Sequence, residues 1–205
     1  WSLERLKLYK TTPKGPRTLQ QVVTAALMAR SEIALPLVYN FLRSPPDAER
    51  FLIVNATLNY LRDPKVHAKQ AEYLLEQAKR DYPMVNPEVA LAMLKNRNET
   101  LLRFLLDTGR DYRVPIETRE YGLKAAQILK KKALPGLYRI LRTEDPKQDN
   151  LPRLNALDLV WDIGGAETLA TALQSLPPTG TYWPKGVEFR AQVLEFCADK
   201  LKPAK

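Results

Sequence analysis

A ten-residue phrase occurs twice in this chain. "ALPLVYNFLR" at 34–43 returns as "ALPGLYRILR" at 133–142, 99 positions later. A chain that writes one segment twice is bound to an architecture that uses one structural unit twice. The match extends both ways: "AALMARSEIALPLVYNFLR" (25–43) aligns with "AAQILKKKALPGLYRILR" (125–142) with one extra residue in the first copy, and "NATLNYL" (55–61) aligns with "NALDLVW" (155–161). In the second copy Leu134, Leu137, Ile140 and Leu141 recur at spacings of three and four, the period of one helix face. Pro135 stands in the first turn of that helix, where its missing N–H costs no hydrogen bond, and Pro36 repeats the device.

The rest of the chain keeps this rhythm. Apolar periodicity predicts helices over 18–30, 32–43, 47–62, 65–81, 86–96, 98–108, 116–131, 133–142, 151–162, 165–175 and 186–201. Pro, Gly, Asp and Asn fill the breaks, as in "RSPPD" (43–47), "DYPMVNP" (81–87), "DTGRDYRVP" (107–115) and "DIGG" (162–165). No segment sustains a two-residue alternation, so no sheet is expected. Short paired helices recurring at a regular interval, each with an apolar face that only a neighbour can bury, predict a stack. The expected fold is all-α: a right-handed α-solenoid of about five antiparallel helix pairs. It is expected to run through residues 1–205 as one domain, with a basic arm or capping helix at 1–17, a closing helix at 186–201 and a polar tail at 202–205.

The stretch "ALPGLYRILR…RLNALDLVWDIGGAETLATALQSLP" resembles HEAT-like repeats of the bacterial and phycobilin-lyase type. In that pattern "ALP" opens the second helix of one repeat, "RLNALDLVWDIGG" is the first helix of the next with its Asp–Gly turn, and "AETLATALQSLP" (166–177) is its second helix. The resemblance is good over 116–177, moderate over 18–63 and poor over 64–115. It implies a curved superhelix whose second helices line the inner surface. Trp161–Asp162 is also a pairing reminiscent of the HEAT-like alkyl-base DNA glycosylases, but here it falls at the ordinary helix-end position, where Trp161 is expected in the core and Asp162 at the turn.

The net charge of +9 is uneven. Residues 1–30 carry +5, 31–100 carry 0, 101–143 carry +6 and 144–205 carry −2. A basic excess speaks to anionic partners rather than to fold. The longest apolar runs, such as "VVTAALMA" (22–29), fall well short of the roughly 20 residues a membrane helix needs. One cysteine, Cys197, allows no internal disulfide and leans towards a reducing, cytoplasmic compartment. The chain starts at Trp1 rather than Met, so a periplasmic or lipoprotein origin with a removed leader is also compatible.

Catalytic chemistry is poorly supplied. A zinc or iron site of Cys and His needs three or four ligands, and the chain has one of each. It has no GxxxxGK[ST], GxGxxG or GxSxG segment. His67 lies on the apolar side of its helix and Cys197 on the apolar side of the last one, so both are expected to be packing residues. No cofactor or metal and no catalytic residue is expected. The expected function is a non-catalytic scaffold that binds a protein segment. Its candidate contacts are Tyr39 and Arg43 in the first copy and Tyr138, Arg139 and Arg142 in the second, because Tyr and Arg dominate binding hot spots. The alternatives for them are packing between helices for Tyr and helix-dipole compensation for Arg. Tyr182 and Trp183 in "TGTYWPKG" either cover the last helix pair or dock a partner. A second function reading is nucleic-acid binding: Lys130, Lys131 and Lys132, with Arg119, Lys124, Arg139 and Arg142, would have to share one face to contact phosphates.

Overall fold

A computed structural model describes residues 35–44, 51, 54–55, 57–58, 67–143, 151–174, 176 and 186–202. The helices expected at 18–30 and, for the most part, 47–62 lie outside them, as do the arm at 1–17 and the loop with Tyr182 and Trp183. Among the described residues the secondary structure is helical, with no strand. The helices are α1 (Leu35–Arg43), α2 (His67–Asp81), α3 (Pro87–Asn96), α4 (Glu99–Thr108), α5 (Ile116–Leu129), α6 (Leu134–Arg142), α7 (Leu151–Gln174) and α8 (Gly186–Lys200).

Local chemistry explains the boundaries. Asn86 caps α3 by accepting from the Glu88 amide at 2.8 Å, with Pro87 just inside the helix. Asn98 caps α4 in the same way through the Thr100 amide at 2.9 Å. One correction to the sequence expectation arises. The helix expected over 116–131 stops at Leu129, and Lys130–Ala133 form a 3-10 turn into α6. The run α7 contains two helices, as expected over 151–162 and 165–175, which meet at a kink at Gly165, whose φ of 64° and ψ of −149° turn the backbone where a side chain would be strained. The Thr168 hydroxyl, 3.0 Å from the carbonyl oxygens of both Val160 and Gly165, bridges that kink.

Packing is sequential. Helices α3, α5 and α7 contact one another in a row, and α1, α2, α4 and α6 form a second row against it. Between the rows, α2 packs on α3, α3 on α4, α4 on α5 and α6 on α7. The buried apolar side chains form one continuous core from Tyr39 and Leu42 in α1 to Phe189 and Val193 in α8. Small residues set the closest approach: Gly122 of α5 lies against the backbone of Leu105 in α4. At the far end α8 seats on α7, with the buried Arg153 guanidinium 3.9 Å over the Phe189 ring and Lys200 Nζ 3.4 Å from Asp158. Trp161 is half-buried against the core and Asp162 is exposed. Cys197 is half-buried, and burial pushes its thiol pKa up. No described helix is long and apolar enough to cross a membrane.

Candidate functional site

Short turns join α2 to α3, α3 to α4, α4 to α5 and α5 to α6, so these connections alternate between two opposite ends of the helices. One edge holds the loop 82–86 between α2 and α3 and the loop 109–115 between α4 and α5. These loops are fixed to each other. The Tyr82 hydroxyl donates to the Asp111 carboxylate. Arg113 grips the same carboxylate through its backbone N–H and Nε at 3.0 Å and through Nη2 at 2.7 Å. The Tyr82 ring stands edge-on to Phe104 at 6.5 Å. The buried Thr118 hydroxyl, at the start of α5, donates to the Val85 carbonyl at 2.9 Å. Val85 and Val114 point inward and are buried.

Anchoring those groups leaves others outward. Tyr82, Tyr112 and Ile116 are exposed, and Met84 is 68% exposed. Exposed Arg110 joins them. Scattered exposed apolar residues are ordinary, but four large ones on two cross-braced loops make a patch. The Asp111 carboxyl is held far below its usual range, chiefly by the Arg113 side chain, and burial together with the bond to Asp111 raises the Tyr82 phenol. A depressed carboxyl stabilises the fold fully above the ordinary aspartate range near ~4 and loses that contribution as the pH falls from there towards the depressed native value. Acid titration is therefore expected to loosen this edge only well below about pH 4, read as a change in near-ultraviolet tyrosine dichroism. Asp111→Ala should abolish that transition and cost about 1–2 kcal/mol at neutral pH.

The residues singled out from sequence are placed differently. Tyr39, for which the sequence left open a groove contact or packing between helices, is 4% exposed, donates to Asp81 Oδ2 at 2.5 Å and meets the Tyr73 ring edge-on at 6.0 Å. Its burial follows from the packing of α1 on α2, which the pattern within α1 alone does not contain. Tyr138, the matching residue, is half-buried, and its hydroxyl reaches the Thr168 carbonyl at 3.4 Å. Both tyrosines thus reach into the next helical segment. Arg43 is exposed and ion-pairs with Asp81 at 3.4 Å. Arg139 pairs with Asp107 of α4 at 2.7 Å, and Arg142 is exposed at the end of α6. Lys132 bonds Glu99 at the start of α4 at 2.5 Å, while Lys130 and Lys131 are exposed in the turn.

The basic block does not form one face. Lys130 and Lys131 lie at the edge opposite the Tyr82 loops. Arg119 and Arg142 lie near the Tyr82 edge, on the order of 15 Å along the helices. Lys124 belongs to the α3–α5–α7 row, its Nζ 5.1 Å over the Tyr121 ring, whereas Arg139 faces α4 in the other row. Tyr182 and Trp183 lie outside the described residues.

The exposed patch escaped sequence reading, although one signal was present. The dipeptide Asp–Tyr occurs in both breaks, as Asp81–Tyr82 and Asp111–Tyr112. Each aspartate accepts a tyrosine hydroxyl from an earlier segment and faces an arginine: Tyr39 and Arg43 at Asp81, Tyr82 and Arg113 at Asp111. Among the described residues no cluster of three His, Cys, Asp or Glu could hold a metal ion. Comparison with family models, with curated proteins and with solved structures gave no match.

Proposed function

We propose that the chain is a HEAT-like α-solenoid that works as a non-catalytic protein-interaction module, and that its partner docks on the Tyr82–Met84–Tyr112–Ile116 edge. The observation carrying this reading is the cross-bracing of two loops around outward-facing Tyr, Met and Ile side chains. Ordering these loops in advance lowers the entropy cost of association. Tyr and Met are also residue types enriched at interfaces. The exposed Arg110 beside them fits a partner whose apolar anchor is flanked by acidic groups. The repeat reading is supported by the two rows of helices, by the doubled "ALPxxYxxLR" phrase and by the recurring Tyr–Asp–Arg bridge. Stacked repeats offer extended surfaces for such binding.

Met84→Glu and Ile116→Glu test this directly. Both side chains are exposed, so stability should stay within about 0.5 kcal/mol. Affinity for a partner purified with the tagged protein from its own cells should fall at least about tenfold in calorimetry, with Ile128→Glu as an exposed control. Unchanged affinity in both edge variants would remove this surface from the account.

A further inference from the structure

The opposite edge carries a different chemistry. Its two central connections are the α3–α4 turn at 97–98 and the α5–α6 turn at 130–133. Lys95 stands in the last turn of α3, Arg97 caps that helix, and Lys130, Lys131 and Lys132 belong to the next turn. Arg97, Lys130 and Lys131 are exposed and Lys95 is half-buried. Because α3 and α5 run side by side in the same direction, these turns are neighbours about 10 Å apart. Glu99 is the carboxylate between them. Lys132 and Arg103, the latter at 2.9 Å, both hold it, and their hydrogen bonds, Lys132 foremost, lower its pKa. Acids bound the strip on either side: Glu72 early in α2, and Asp162 and Glu167 around the Gly165 kink of α7.

The backbone singles out the same strip. Arg97 at φ 59° and Lys130 at φ 53° are the positive-φ non-glycine residues among those described. Glycine suits such positions better, so each of these turns places a long cationic side chain on a backbone that does not favour it.

We infer that Lys95, Arg97, Lys130 and Lys131 form a contact surface for the phosphate backbone of a duplex nucleic acid. A duplex carries a charge about every 1.7 Å, so several phosphates fall within reach of four cations on two adjacent turns. Three of the four are lysines, flexible point charges that meet phosphate without demanding a bidentate partner. Among the described residues the exposed tyrosines lie on the other edge, so none of them offers a stacking platform for single strands here. Ile128 is the exposed large apolar residue near the strip among those described, too little to anchor a peptide or enter a bilayer. This surface is independent of the protein-docking edge.

The test is fluorescence anisotropy of a labelled 20-base-pair DNA duplex titrated with the full chain between 50 and 200 mM salt. Four phosphate contacts predict a slope of log affinity against log salt of about −3.6. Arg97→Gly with Lys130→Gly should melt no lower than wild type, because glycine fits the left-handed backbone, yet the slope should fall to about −1.8. Lys95→Ala with Lys131→Ala should act alike by removing charge without touching those backbones. Met84→Glu should bind the duplex as wild type does. Equal affinity and slope in both double variants would overturn the inference. So would absence of duplex binding at 100 mM salt, or binding of polyglutamate or phosphatidylserine vesicles as tightly as the duplex.

Discussion

Gly122→Ala is expected to destabilise the protein by about 3 kcal/mol, at the upper end of what a single added methyl does in a packed interior. A Cβ at Gly122 would lie 2.4 Å from the Leu105 carbonyl oxygen and 3.2 Å from its carbon. Those are backbone atoms in the middle of α4, so no rotamer relieves the clash, and α4 and α5 must separate. Gly136 provides the contrast. Its Cβ would meet Leu106 Cδ2 at 2.5 Å and Cγ at 2.8 Å, so the whole Leu106 side chain must rotate, but no backbone atom stands in the way. Gly136→Ala should therefore cost about 1 kcal/mol. For a chain of this length the first substitution lowers Tm by roughly 6–12 °C. Urea unfolding followed by circular dichroism measures both, and a neutral Gly122→Ala would mean that α4 and α5 do not approach this closely.

The second large effect belongs to Tyr39. As a packed residue bonded to Asp81, its replacement by alanine should cost about 3–5 kcal/mol, the range for removing a buried aromatic ring. Tyr39→Phe should cost about 1 kcal/mol, since the ring remains and Arg43 still neutralises Asp81. A groove-lining tyrosine would behave in reverse, leaving stability unchanged and affinity reduced. The pH dependence follows the same logic. Burial, followed by the bond to Asp81, raises the Tyr39 phenol far above its ordinary value. A raised group stabilises fully below the unfolded value near ~10 and loses that contribution as the pH climbs towards the native one. The wild type should lose stability on alkaline titration above about pH 10, and Tyr39→Phe should lose less.

Much of the helix layout was legible because its determinants are local. Asn86, Pro87 and Asn98 are capping residues wherever they fall, and Leu137, Ile140 and Leu141 mark a buried face by spacing alone. This held even over 86–108, where the doubled phrase gives no guide. The break at "DIGG" was also legible, with helix resuming directly after it, and Gly165 is the residue that carries the kink. What could not be read depends on partners far along the chain. Tyr39 is buried through Asp81, 42 residues on, and Lys132 is tied to Glu99, 33 residues back. The run Lys130–Lys132 looks uniform in sequence, yet its members differ because one of them meets a carboxylate across the turn. Loop residues were least legible. Met84 belongs to no periodic pattern, and the approach of its loop to the start of α5, where Ile116 stands, rests on Thr118 reaching Val85. The repeated Asp–Tyr dipeptide was the available sign of that edge.

The central claim is that this edge receives a protein partner. Placing a benzoylphenylalanine photo-crosslinker at Met84, and separately at Ile128, in the full chain tests it in the cells that make the protein. One discrete adduct from position 84, missing from position 128 and lost when Ile116→Glu is added, is the predicted result. No adduct at 84, or the same adduct from both positions, would contradict it.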